Sequence, residues 1–204
     1  MSTARPSSLQ KRNLILQAAG ELFVQDGFDK VSMDQLAEAA GVSKQTVYSH
    51  FGSKEGLFQA AIDARCIAYD IRAIDPELPL RQWLALFADR FNRLLSSAEV
   101  LAMYRVCIAS SQRDNKVAGL FWESGPQQIH DTVSEELWRR SQSGELNIDQ
   151  ATLPLATDQL LTLLRPSRNM KQILGLESAG PCPDSDTYIA SSIDLFLNYY
   201  QHRN

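Results

Sequence analysis

LAEAAGVSKQTVYSHF, running from Leu36 to Phe51, alternates small or apolar residues with polar ones in a way that decides the fold. Ala37 is small enough for a second helix to cross close to it. Gly41, four residues on, supplies the positive φ that a tight turn between two helices requires. Val47, six residues past the glycine, and Phe51 after it are apolar pegs that point back toward the first helix. Two short helices meeting at a steep angle through such a turn form a helix-turn-helix.

The residues between the pegs then face away from the core. Lys44, Gln45, Thr46, Tyr48, Ser49 and His50 offer donors, acceptors and rings within seven positions. Lys44 can donate to guanine O6 or N7, or to phosphate, and Gln45 can pair bidentately with adenine. Thr46, Tyr48 and His50 can donate to phosphate oxygens. Lys54 places a cation near the start of the next helix, where the helix dipole already favours an anion. Ser32 and Ser43, at the starts of the second and third helices, are placed to cap them. Ser32 and Ser43 are also candidates for the DNA-binding face, although capping alone accounts for Ser32. A solvated polar helix is the plain alternative for any one of these residues. Their joint spacing favours DNA.

Working outward, the pattern stays helical. Ile15, Ala18, Leu22 and Phe23 form one stripe over 8–25, and Gly27 stands where that helix should end. Ser32-Met33-Asp34-Gln35 reads as a capping box. Ser53 opens a fourth helix carrying Leu57, Phe58, Ala61, Ile62, Arg65, Cys66 and Tyr69 on one side. Asp75–Pro79 is a break. Trp83, Phe87 and Phe91, then Met103, Tyr104 and Cys107, recur at steps of three and four in the helices that follow. Gly125-Pro126 must kink or split a helix that starts near Asn115. Two further helices are expected near 149–165 and 185–202, joined by a looser segment. No strand is expected.

Bulk properties limit the function. Of 204 residues, 44% are apolar, which suits a packed core. The net charge is −4, yet residues 1–55 are neutral, with six basic groups (among them Arg5, Lys11 and Arg12) against six acidic. A neutral module binds DNA if its cations share a face. Three distant cysteines, Cys66, Cys107 and Cys182, read as reduced thiols of a cytoplasmic protein. No apolar run approaches the ~18 residues of a membrane span, and the N-terminus lacks a secretion signal. His50, His130 and His202 are scattered, and no nucleophile elbow, phosphate loop or zinc pattern appears. Catalysis, a metal and a cofactor are therefore not expected. A DNA-bound adaptor that recruits another protein is the alternative to a regulator.

The stretch AAGELFVQDGFDKVSMDQLAEAAGVSKQTVYSHFGSKEGLF resembles the DNA-binding domain of the TetR family of one-component regulators. The likeness rests on Leu22-Phe23 with Gly27-Phe28, on LAEAAGVS, and on the closing YSHFGSKEGLF; Ser32 stands where a threonine is usual. It implies that Lys44, Gln45, Thr46, Tyr48, Ser49, His50 and Lys54 face DNA. RVCIASSQRDNKVAGLFWESGP, with SGELN and ILGLES, resembles the AefR-like C-terminal regions, although the proline usual before AGLF is absent and Asn115 stands nearby.

The expected fold is all-α, with a three-helix DNA-binding domain (1–55) joined by the fourth helix to a helical effector-binding and dimerisation domain (56–204). The resemblance implies a homodimer on a double-stranded DNA operator, built mainly from the last two helices. Leu160 and Leu164, with Ile189, Ile193, Phe196 and Tyr200, are the expected interface. Leu195 and Tyr199 lie off the latter stripe, so the last helix needs two partners. Trp83, Phe87, Phe91, Met103, Tyr104, Cys107 and Trp122, with Phe121 and His130, are candidates for lining an effector cavity, against the simpler reading that they are core. The effector itself is not identified beyond small and apolar or aromatic.

Overall fold

Side-chain caps set the first helices of the chain. The computed structural model describes residues 6–111, 115–180 and 185–201, so Arg5, Cys182 and His202 lie outside the described residues. Helix α1 (Ser8–Asp26) starts at a reciprocal box between Ser7 and Gln10, and α2 (Met33–Ala39) at one between Ser32 and Gln35. Helix α3 (Lys44–Phe51) is capped by Ser43, whose Oγ accepts the Thr46 N–H. In α4 (Lys54–Ala68) the Ser53 Oγ accepts the Gly56 N–H at 3.0 Å. Each cap satisfies a backbone donor that has no partner inside its helix.

After the Asp75–Pro79 break come α5 (Leu80–Leu95), α6 (Ala98–Ser111), α7 (Lys116–Ser124), α8 (Pro126–Gln142), α9 (Leu153–Leu163), α10 (Ser167–Ile173) and α11 (Ser185–Tyr200). Gly125-Pro126 splits α7 from α8. Helix α10 falls in the segment expected to be loose. Its buried residues, Asn169, Gln172 and Ile173, are mostly polar, so no apolar period announces it. Among the described residues the secondary structure is helical, apart from one isolated bridge between Leu146 and Gln201.

The chain packs as two units. One comprises Met1–Arg65 with Ala102–Gly125, the other Cys66–Leu101 with Pro126–Asn204. In the first, Phe23, Phe28 and Phe58 form a triangle of rings with centroids 5.2–5.6 Å apart. Ile15, Leu36, Val47 and Leu57 complete this core, and Met103, Cys107 and Val117 of α6 and α7 belong to it. Burial pushes the Cys107 thiol up to about 12, so it stays protonated as a packing residue.

In the second unit, α5 and α9 both pack on α11, and α8 packs on α9. The Trp83, Phe87 and Phe91 rings stack along α5 with centroids 5.3 and 5.5 Å apart. Arg140, only 4% exposed, ties the Asp75–Pro79 break to α8. Its Nε donates to Glu136 at 2.6 Å, its Nη1 to Glu145 at 3.0 Å, and its Nη2 to the carbonyls of Pro76 and Leu78 at 2.9 and 2.6 Å. A buried guanidinium is tolerable because its charge and its donors are both matched. Among the described residues no single helix is long and apolar enough to cross a membrane.

Candidate nucleic-acid interface

The turn between α2 and α3 fixes the geometry. Gly41 takes φ of 65°. Its N–H donates to the Glu38 carbonyl, and the Val42 N–H donates to the Ala37 carbonyl, both at 3.0 Å. This pair of bonds closes α2 in a Schellman motif, which a residue with a side chain would adopt only under strain. Beyond the turn, Val47 is fully buried and Ala37 nearly so, and α2 packs against α3 through them.

Helical periodicity then separates the polar residues by face. Lys44, Gln45, Tyr48 and Ser49 are exposed together, while Thr46 and His50 are half-buried. Ser43 Oγ and Thr46 Oγ1 lie 2.8 Å apart, and Ser49 Oγ donates to the Thr46 carbonyl at 2.9 Å. These two contacts tie down the hydroxyls of Ser43, Thr46 and Ser49. The His50 ring lies 6.0 Å from that of Phe51, and the Arg12 guanidinium sits over the other end of this helix, 5.4 Å from the Phe51 ring.

Two cations differ from the sequence expectation. Lys54 does not project freely. Its ammonium donates to the carbonyls of Phe28 and Val31 at 2.9 and 3.0 Å and lies 4.4 Å from the Phe28 ring centre. It clasps the chain that leads into α2 and so helps hold the site together. Lys44 is exposed but paired: its Nζ lies 2.9 Å from Asp34 Oδ2 on the first turn of α2. That hydrogen bond and the Asp34 charge raise its pKa further. In the sequence Asp34 stands out only as part of a capping box. Its distance of ten positions from Lys44 hides the pairing until the turn is built.

The remaining candidate residues divide between the two units. Met103 and Cys107 are buried in the core that also holds Val47, Leu57 and Phe58. Tyr104 meets Phe121 edge-on at 5.0 Å, and Trp122 is 56% exposed. Trp83, Phe87 and Phe91 are buried along α5. His130, on α8, has its Nε2 3.5 Å from Asp158.

The expected dimer residues pack mainly inside the subunit. Leu160, Leu164, Ile189, Ile193, Phe196 and Tyr200 are all buried within the chain itself, because their stripe is the one that α5, α9 and α11 share. The neighbouring stripe of α11 is left open: Leu195 is 59% and Tyr199 78% exposed, with Tyr188 above them. Leu155 of α9 is also exposed, at 53%. A groove along these two helices is lined by Asp158, Gln159, Thr162, Leu163, Leu195 and Tyr199, together with Phe196 and Tyr200 of the expected set.

Comparison with known proteins agrees with this geometry. Residues 15–61 match the family model described as bacterial regulatory proteins, tetR family, and residues 82–202 match that of the AefR-like transcriptional repressor C-terminal domain. The chain is 35% identical over 91 residues to the transcriptional activator FasR of Mycolicibacterium smegmatis, a stretch covering 44% of this chain and 38% of that one. It spans less than half the length of such curated relatives. Among solved structures, the flavonoid-responsive regulator FrrA is 30% identical with a TM-score of 0.74, over 95% of this chain and 98% of that one. A TetR-family regulator from Mesorhizobium loti MAFF303099 has the same fold, with a TM-score of 0.75 at 24% identity over 97% of this chain and all of the other.

Proposed function

This chain belongs to the TetR family of bacterial regulatory proteins, and from that premise we propose that it is a cytoplasmic repressor, a homodimer that holds a palindromic operator until a small, flat or greasy effector releases it. Members of the family are transcriptional regulators, not enzymes. The observation that carries the reading is the exposed face of α3. Lys44, Gln45, Tyr48 and Ser49 stand together on a helix whose other side is pegged by Val47. That is the form of a helix laid in a major groove, with its first turns against base edges. One such helix reads few base pairs, and pairing two copies on a palindrome supplies the rest. The open stripe of Leu195 and Tyr199 is the surface on which a second copy docks.

Release follows from the core of the first unit. Leu57, Phe58, Ala61 and Ile62 of α4 share one packed cluster with Val47 of α3 and with Met103, Cys107 and Val117 of α6 and α7. Lys116, at the start of α7, donates to Glu55 in the first turn of α4 at 2.7 Å. An effector that displaces α6 or α7 therefore drags α4, and α4 is joined to α3 through Gly52 and Ser53. Two half-sites a helical turn apart tolerate little change in the spacing of their readers. A difference of ~3 kcal/mol between the two states lowers operator affinity about a hundredfold. Tyr104, Phe121 and Trp122, which are not fully buried, are the aromatic surface offered to a flat ligand. The flavonoid response named for FrrA supports that class.

The test begins with selection of the operator from random DNA by the purified protein. An inverted repeat is expected. Titrating flavonoids and simple aromatic acids against the complex should then release it. A ligand that binds α6 and α7 but leaves operator affinity unchanged would refute the release mechanism. Selection of an unrepeated sequence would refute the palindromic dimer.

A further inference from the structure

The first turn of α2 places a carboxylate on the cation of the recognition helix. Asp34 Oδ2 and Lys44 Nζ are 2.9 Å apart, with side chains 70% and 50% exposed. Neither group is buried, so the contact adds little to stability. Its consequence lies in what Lys44 can still do. An ammonium has three donors. One points to Asp34, and two remain.

A guanine edge presents two neutral acceptors, O6 and N7. Lys44 can give them its two remaining donors while it keeps Asp34. A phosphate brings a full negative charge to the same ammonium, a few ångströms from the Asp34 carboxylate. Like charges at that distance repel, and the DNA backbone repeats its charge every ~1.7 Å along the axis. We propose that Asp34 is a specificity-determining residue: it directs Lys44 to neutral base-edge acceptors and against the phosphates that every sequence offers. This resolves the choice between guanine and phosphate that residue type alone leaves open for Lys44. It rests on the reading of α3 as the DNA-contacting helix.

Asp34→Asn keeps the size of an exposed side chain and removes its charge. The experiment measures affinity of the full-length protein for the selected operator and for a base-shuffled duplex of equal length, across a salt series. Wild type, Asp34→Asn, Lys44→Gln and the double variant are compared. Freed from the carboxylate, Lys44 should reach phosphate. Asp34→Asn should therefore bind the shuffled duplex about tenfold more tightly, with a salt slope steeper by about one. Operator affinity should change by less than about threefold, so the preference for operator narrows. In the Lys44→Gln background the same change should have less than about a twofold effect on either duplex.

Equal tightening on both duplexes would overturn the proposal, and so would an undiminished effect without Lys44, since Asp34 would then act only through its own repulsion of DNA. Unchanged binding of Asp34→Asn to the shuffled duplex overturns it too. A wild-type protein that prefers no selected sequence is a separate result, which removes the regulator reading itself and the role of Asp34 with it.

Discussion

Gln45 and Lys54 sit nine positions apart in opposite kinds of surroundings. Gln45 is exposed on the outer face of α3, free to set its amide against a base. Gln45→Ala should lose about 1–3 kcal/mol on the operator and relax preference at one base pair per half-site, as read by binding across operator variants. Lys54 is spent on the carbonyls of Phe28 and Val31. Lys54→Gln should lower the thermal midpoint while leaving the salt slope of DNA binding in place. A phosphate contact would instead show as a slope shallower by about one. The exposure of Gln45 was legible in the sequence, because its neighbours and the turn before it are local. The contacts of Lys54 were not, since its partners lie 26 and 23 positions away on backbone atoms that carry no residue signature.

At the scale of the element, two joints are open to measurement. Arg140 on α8 holds the Asp75–Pro79 break through two carbonyls and is matched by Glu136 and Glu145. Arg140→Met leaves the nearly buried Glu136 to Arg139 alone, which donates to it at 2.7 and 2.9 Å, and frees the break. A loss of about 1–3 kcal/mol in denaturant unfolding is expected. The second joint links α4 to α7. The hydrogen bond from Lys116 holds the Glu55 carboxyl down to about 2, from an ordinary 4.5. A depressed pKa contributes stability that is complete above pH 4.5 and is lost as pH falls toward 2. Both side chains are substantially exposed, so the contribution is at most about 1 kcal/mol. Unfolding followed from pH 6 to pH 2 should show Glu55→Gln losing less stability than the wild type over that interval. Helices with strong apolar stripes, such as α5, were legible in the sequence. Helix α10 was not, since its inward residues include Asn169 and Gln172, which hydrogen-bond to the backbone of other segments.

For the whole molecule, the proposed dimer turns on which side of α11 meets a second copy. Both apolar sets can be read from the chain, one at Ile189, Ile193, Phe196 and Tyr200 and one at Leu195 and Tyr199. Choosing between them requires knowing where α5 and α9 lie, which periodicity within one helix does not contain. With the first set buried at home, a charge at Phe196 breaks the subunit core before it tests any interface. Leu195→Glu with Tyr199→Glu should yield a folded monomer with wild-type helicity and no operator binding, by sedimentation and circular dichroism. Phe196→Ala should instead lower subunit stability by about 3–5 kcal/mol, the cost of emptying a fully buried aromatic site. A double-charge variant that still sediments as a dimer would move the interface to another face.

The placement of Met103, Cys107 and Val117 inside the cluster around Phe23 and Phe58 bears on how such proteins can be recombined. The DNA-reading part is discontinuous in the chain: it needs a second length of polypeptide, 102–125, that arrives after an intervening helix. A hybrid that grafts only the first 55 or 65 residues onto a foreign regulator leaves its aromatic triangle to fit whatever side chains the host offers at those positions. A hybrid that carries 102–125 along brings its own packing. Exchange of operator preference between relatives is therefore a two-segment transplant, and the second segment contains no residue that touches DNA in the proposed complex.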